Sequence, residues 1–402
     1  MFNTECVRRL RTCGYEVFLP QESDVNASAE PTAKDIFRSD TARILESDVL
    51  VVCLDQETID SGVACEVGLA YAFGIPIVGL YTDIRQYRSG RGRMYKNLYV
   101  LGAIEVFGKI VTNVNELLTL IPAYQAVDKD SINNVVRHFD AIATRYGDFV
   151  EQLESWYSPR WSLQNEVQNH IDLTHAMRIL EIGCGIGKLG HQLCKQNPTL
   201  SYLGYDAASE MTATAKKLHT SERCNYTSDI SRARSFGRES PIDLVLASFV
   251  LHDQPRKEKA LVEMESYVKA GGHILTIDLS TRDLPRLVST LKRGLSSPAL
   301  IQDSRFEPTW ILPAIRGRGI ELVKYESKIM SIAFPSQNAL EEYFEIFGIY
   351  RGMDLPLGLD KNAYLDNRDR LGNVIETIRF PFEDQRVFDI CLLRKTDSIQ
   401  AS

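Results

Sequence analysis

Long apolar runs are missing from this chain of 402 residues: none approaches the ~18 residues a membrane-spanning helix needs, and its first residues lack the pattern of a secretory signal. No membrane association is expected, and the cytoplasm is the expected compartment. Also missing is any long Lys/Arg block. With 46 Lys and Arg against 53 Asp and Glu the formal net charge is −7, so the grip on phosphate backbones that nucleic-acid binders need is not advertised, and a small-molecule substrate is favoured. The eight cysteines, at 6, 13, 53, 65, 184, 194, 224 and 391, form no C-x-x-C pair and no cluster with neighbouring histidines. They read as reduced core thiols, with no metal expected.

What is there is the composition of a globular protein, 44% hydrophobic and 25% charged, in a chain long enough for two or three domains. The organising stretch is MRILEIGCGIGKLG, Met177 to Gly190. Met177, Ile179, Leu180 and Ile182 make a short buried strand that runs directly into Gly183, Gly185 and Gly187, and a helix opens at Lys188. Glycines let the backbone take positive φ and approach a ligand, while the first turn of the helix presents unpaired N–H groups to it. A second strand, Ser201 to Tyr205, ends in Asp206, near the ~20-residue interval at which an acid takes the ribose hydroxyls of a bound nucleotide. A carboxylate suits that task because it accepts both hydroxyl protons at once. Strands follow at Ile242 to Ala247, leading into SFVLHD, and at Gly272 to Asp278.

In the order LEIGCGIG, YLGYDAASEM, Asp229, DLVLASFVLHD and the glycine pair before the fifth strand, the chain from about His138 to Lys395 resembles class I S-adenosylmethionine-dependent methyltransferases of the small-molecule type. The resemblance implies a Rossmann-like sheet with an antiparallel edge strand over 131–397, and S-adenosyl-L-methionine as cofactor. It implies a cofactor site of Glu181, Gly183, Gly185, Gly187, Asp206, Ala207, Asp229, Ile230 and Ser248. His252 stands where substrate-facing residues fall in such enzymes and would take a proton from a hydroxyl or amine acceptor, oriented by Asp253; the alternative is a histidine that only packs near the pocket. Tyr146, Trp156 and Trp161 line a pocket or belong to the core. The segment 284–369 reads as an insertion containing a strand near 321–334 and a helix Ser336 to Phe347, and its Arg316 and Arg318 are anion binders or solvated surface. The last strand, Arg386 to Arg394, is expected to pair with 321–334.

Residues 1–124 alternate helix and strand, the pattern of a parallel sheet. Helices are expected at Thr4 to Cys13, Ala33 to Glu46 and Val63 to Phe73, and strands at Tyr15 to Leu19, Val49 to Leu54 and Pro76 to Tyr81, with a junction over Ile121 to Asp130. The motifs GYEVFLPQ, DTARILESDVLVVCLD and DSGVACEVGLAYAFGIPIVGLYTDIR resemble the nucleoside 2-deoxyribosyltransferase family. By that resemblance Glu66 is the nucleophile that attacks the anomeric carbon, Asp40 and Asp60 contact base and sugar, and Asn97 matches an asparagine that reaches a neighbouring subunit, implying a homo-oligomer. A carboxylate on one face of an oxocarbenium-like centre and a proton donor at the departing base is sensible chemistry. Family members have a first strand and a glycine-containing loop before the position of Phe2, and this sequence begins at MFN. The fold expected is therefore α/β with two doubly wound domains, the first flavodoxin-like with its first strand missing. Either that domain handles a deoxyribosyl bond, or it is a non-catalytic nucleoside-binding or oligomerisation module. Fusion favours a nucleoside, nucleobase or related metabolite as methyl acceptor, with protein or RNA as the alternative.

Overall fold

In the computed structural model, residues 2–23, 32–56, 58–72, 75–82, 97–254, 257–294, 319–349 and 369–396 are described. Arg316 and Arg318 lie outside them. The chain divides into two compact units, Met1–Lys129 and Asp130–Ser402. The stretch 121–130, taken as a junction from its sequence, is helical, within Val114–Glu154.

In the first unit three parallel strands, β1 (Leu50–Cys53), β2 (Ile77–Leu80) and β3 (Gly108–Val111), lie in chain order, with Leu50 opposite Ile77 and Ile77 opposite Gly108. β2 is buried along its whole length, as its continuous apolar run requires of a strand covered on both faces. Helices Phe2–Thr12, Ala33–Glu46, Ser61–Ala72 and Leu98–Phe107 accompany the sheet. Cys6 and Leu10 of the first helix pack with Val78, Leu80 and Val111. Tyr15 to Leu19, expected as a strand, has no ladder. Tyr15 and Val17 pack against the same core, but no described strand lies beside them to accept their hydrogen bonds, so the apolar alternation there records burial and not pairing. Asn97 caps the helix Leu98–Phe107, accepting from the N–H groups of Tyr99 and Val100.

The second unit is built on an eight-stranded sheet in the order β4-β10-β11-β9-β8-β5-β6-β7. Here β4 is Tyr157–Ser158, β5 Arg178–Ile182, β6 Ser201–Tyr205, β7 Cys224–Thr227, β8 Ile242–Ser248, β9 Val268–Leu279, β10 Ile320–Phe334 and β11 Phe382–Lys395. Strands β5 to β9 are mutually parallel, and β11 and β10 join antiparallel, Ile320 opposite Lys395 and Phe334 opposite Phe382. Chain order reverses between β5 and β8, and in open α/β sheets ligands bind outside the carboxyl ends of the strands at that reversal. Here those ends are Ile182, with the glycine turn after it, and Ser248. One face of the sheet carries Ile179, Leu244, Leu275, Ile277 and Phe388, the other Leu180, Val245, Ile274 and Leu393, so alternate residues of each strand feed two cores. A third cluster, with Phe149, Leu284, Leu340, Phe344 and Ile375, caps the carboxyl end.

Candidate functional site

A cavity of about 410 Å³ opens where the fold predicts it. Its lining includes Glu181, Gly183, Gly185, Asp206, Ala207, Ser248 and His252. The glycine turn is fixed by close packing: Gly183, at φ 72°, has Val250 Cγ2 only 2.1 Å from where a Cβ would stand, and Gly187, at φ 77°, has the Tyr226 ring at 2.5 Å. Neither position admits a side chain. Asp206 turns into this hairpin. Its Oδ2 accepts from the Gly185 N–H at 2.8 Å and its Oδ1 from the Ala208 N–H at 2.9 Å. Each oxygen keeps a second lone-pair site for a ligand hydroxyl. Burial pushes the Asp206 carboxyl upward and the two N–H bonds oppose it.

Ser248, 6% exposed at the end of β8, has an Oγ with no partner in the structure and lines the cavity, an unspent donor and acceptor at the ligand position. Glu181 lies deeper: it accepts from the Tyr202 hydroxyl, and burial raises its pKa to about 8. Because this folded value lies above the ordinary glutamate value of 4.5, the folded state binds more protons between the two, so stability falls as pH rises from about 4.5 to about 8. Glu181→Gln is expected to flatten that limb and raise the melting temperature relative to wild type above pH 7, checked by thermal unfolding from pH 5 to 9.

Asp229 and Ile230 stand apart from the lining. Asp229 is exposed and caps the helix Ile230–Glu239, accepting from the Ser231 N–H at 2.8 Å, and Ile230 packs into the core beside Leu180 and Leu203. Helix-cap geometry places both there. Gly187 likewise packs beneath the turn and is not part of the cavity lining. Of the three candidate aromatics, Tyr146 and Trp161 line the cavity, whereas Trp156 packs edge-on to Phe149, ring centroids 5.9 Å apart.

His252 lines the cavity from the turn Leu251–Asp253. Its Nδ1 lies 2.6 Å from Asp278 Oδ1, and since a carboxylate only accepts, Nδ1 carries the proton there and Nε2 is the basic nitrogen of the neutral ring. The residue expected to orient it was Asp253, which stands 3.6 Å from Nε2; Asp278 is the one that holds the ring. Asp278 is fully buried and also accepts from the N–H groups of Leu251, His252 and Leu279. Its signal in the sequence is an acid closing an otherwise apolar strand, HILTIDL.

Much of the rest of the cavity is apolar. Trp161, Phe249 and Phe388 form an aromatic wall, with centroids 4.9 Å (Trp161–Phe388) and 5.0 Å (Phe249–Phe388) apart. Phe249 holds φ at 57°, strained for a bulky side chain and of the kind that gathers at functional sites. Lys188 and Glu154, paired at 3.1 Å, also line the cavity. Glu166, His170 and Glu326 bring ligand-type atoms together on the other side of Trp161, but Lys324 and Lys328 already neutralise those acids.

In the first unit Glu66 sits half-buried on Ser61–Ala72. Burial raises its pKa, and the nearby charges of Asp40 and Asp60 raise it further, so the structure brings the three expected carboxylates within electrostatic reach. Asp40 Oδ1 is buried without a hydrogen-bond partner, and Asp60 caps the helix through the N–H of Gly62 at 2.8 Å.

A parallel α/β unit bearing clustered carboxylates and an α/β unit with a glycine-turn ligand site at its strand reversal define the molecule. The family profile of nucleoside 2-deoxyribosyltransferases matches residues 2–135, and that of a methyltransferase domain matches residues 173–326. The two profiles thus divide the chain into a region matching a nucleoside 2-deoxyribosyltransferase domain and one matching a methyltransferase domain. Among similar proteins, a ubiquinone/menaquinone biosynthesis C-methyltransferase of Geobacter sp. (strain M21) is 26% identical over 151 residues, 37% of this chain and 63% of the relative. A demethylmenaquinone methyltransferase of Lactiplantibacillus plantarum is 25% identical over 38% of this chain and 66% of the relative. The chain therefore spans just under two thirds of each. A solved conserved protein of Enterococcus faecalis V583 is 37% identical over 30% of this chain and 87% of its own, with a TM-score of 0.27. Among the described residues no helix is long and apolar enough to cross a membrane.

Proposed function

We propose that this protein transfers a methyl group from S-adenosylmethionine to a small molecule with an apolar body, and that its first unit holds a nucleoside site. The observation that carries the reading is the single cavity in which the Gly183–Gly187 turn, Asp206 and the unpartnered Ser248 Oγ share walls with His252 and an aromatic surface. The residues fit the cofactor: Asp206 would take the ribose hydroxyls and Ser248 a polar edge. When bound, the cofactor supplies a sulfonium-activated methyl group.

The chain's own part is alignment and proton removal. The aromatic wall excludes water and would orient the acceptor atom toward the methyl group that a bound cofactor would supply. His252 Nε2 receives the acceptor's proton while Asp278 holds Nδ1–H. The apolar lining agrees with relatives named for quinone-pathway methylation. A nucleoside or nucleobase, the acceptor that fusion suggests, also presents a flat face to Trp161, Phe249 and Phe388.

The test is transfer of isotope-labelled methyl from S-adenosylmethionine to a panel of hydroxylated aromatics, hydroquinones and nucleosides. Methylation of none of them, with no cofactor binding by calorimetry, overturns the reading. His252→Gln is expected to lower kcat about 100-fold for an acceptor with a hydroxyl or amine nucleophile and to leave cofactor affinity unchanged, since general-base help contributes on that scale. Pre-steady-state and equilibrium binding measurements separate the two effects.

A further inference from the structure

Among the side chains lining the cavity that methyl transfer does not use is a buried arginine. Arg386, on β11, is 3% exposed and lines the cavity two residues from Phe388 on the same face of the strand. Phe388 stands opposite Leu279, the last residue of β9, so Arg386 projects beyond the end of the neighbouring strand, roughly 7 Å farther along β11. Its Nη1 donates to the Tyr343 hydroxyl at 2.5 Å, and its Cζ lies 5.4 Å and 5.6 Å from the ring centres of Phe388 and Tyr343. Asp283 is its counter-charge, Nε to Oδ1 3.3 Å, but that oxygen takes its hydrogen bond from the Val387 N–H at 2.7 Å, and the Arg386 Nε–H has no acceptor. A guanidinium has five N–H donors, and the hydrogen bond to Tyr343 uses one. A planar fork held between two rings, with donors to spare and an apolar cavity before it, is the geometry that receives a carboxylate bidentately.

Resting on the methyl-acceptor reading above, we propose that the acceptor is a flat apolar molecule bearing a carboxylate, and that Arg386 selects it by pairing with that group while the aromatic wall holds the ring system. Arg386 is then a specificity residue for the acceptor and takes no part in binding the cofactor. The alternative is an arginine that only ties β11 to the helix Gln337–Ile346 through Tyr343.

The experiment is calorimetric binding of two probes of equal shape, 2-naphthoate and 2-naphthalenemethanol, to the full chain saturated with S-adenosylhomocysteine. Wild type is expected to bind the naphthoate at least tenfold more tightly. Arg386→Gln should erase that preference while S-adenosylhomocysteine affinity stays within twofold, and Arg386→Lys, which keeps the charge without the fork, should retain part of it. Equal affinity of wild type for the two probes overturns the proposal even where neither variant folds. A naphthoate preference that survives in a folded Arg386→Gln protein overturns it too, by assigning the arginine to structure alone. Loss of S-adenosylhomocysteine binding in wild type would instead strike the methyltransferase reading, so the two failures are told apart.

Discussion

Asp206→Ala is expected to weaken S-adenosylmethionine binding roughly 100- to 1,000-fold, read by calorimetry on the full chain. Hydrogen bonds to a charged group contribute about 1.5–3 kcal/mol each, and the substitution removes the acceptor for both ribose hydroxyls. It also strips the Gly185 N–H of its acceptor, although the hairpin stays tied to β6 by the Gly183 and Cys184 N–H groups, which donate to the Tyr205 carbonyl. A loss of about 3–4 kcal/mol corresponds to that range of affinity. Asp206→Asn keeps one acceptor oxygen and should fall between. Unchanged affinity in Asp206→Ala would remove Asp206 from the cofactor site.

In the first unit, Glu66→Gln is expected to abolish any exchange or release of base from 2'-deoxynucleosides, a fall of at least about 1,000-fold, because the variant lacks the nucleophile and keeps only binding. The assay is incubation with a deoxynucleoside and a second free base, followed by chromatography. Burial and the charges of Asp40 and Asp60 place the Glu66 carboxyl above its ordinary range, so the activity should rise with pH across a limb displaced upward from that of an exposed glutamate. Wild type that binds deoxynucleosides without turnover would favour the non-catalytic module. Turnover retained in Glu66→Gln would take the nucleophile away from Glu66.

Local pattern carried most of the second unit. MRILEIGCGIGKLG dictates strand, turn and helix start because its apolar period ends abruptly at glycines, and Asp206 follows one βα unit later, so both were visible without coordinates. Ser336 to Phe347 was legible for the same reason: a serine cap, whose Oγ accepts from the Ala339 N–H, precedes an amphipathic run. Tyr15 to Leu19 shows the limit. Its alternation suits a strand, but a ladder needs a second chain segment, and sequence pattern contains no information about whether that neighbour is present.

The residues that sequence missed or misplaced are those whose role depends on distant partners. Asp278 holds His252 from 26 positions away, and Arg386 meets Tyr343 across 43. Sequence by itself determined the two α/β units and the glycine turn, because each is written in a local period, whereas Asp206 was picked out by its interval from the turn and the carboxylates around Glu66 by family resemblance. Only the tertiary structure decided which side chains share the cavity, which acid holds the histidine ring and that a buried arginine lines the same cavity, because side chains from separate strands become neighbours only when the sheet's pairing order is set.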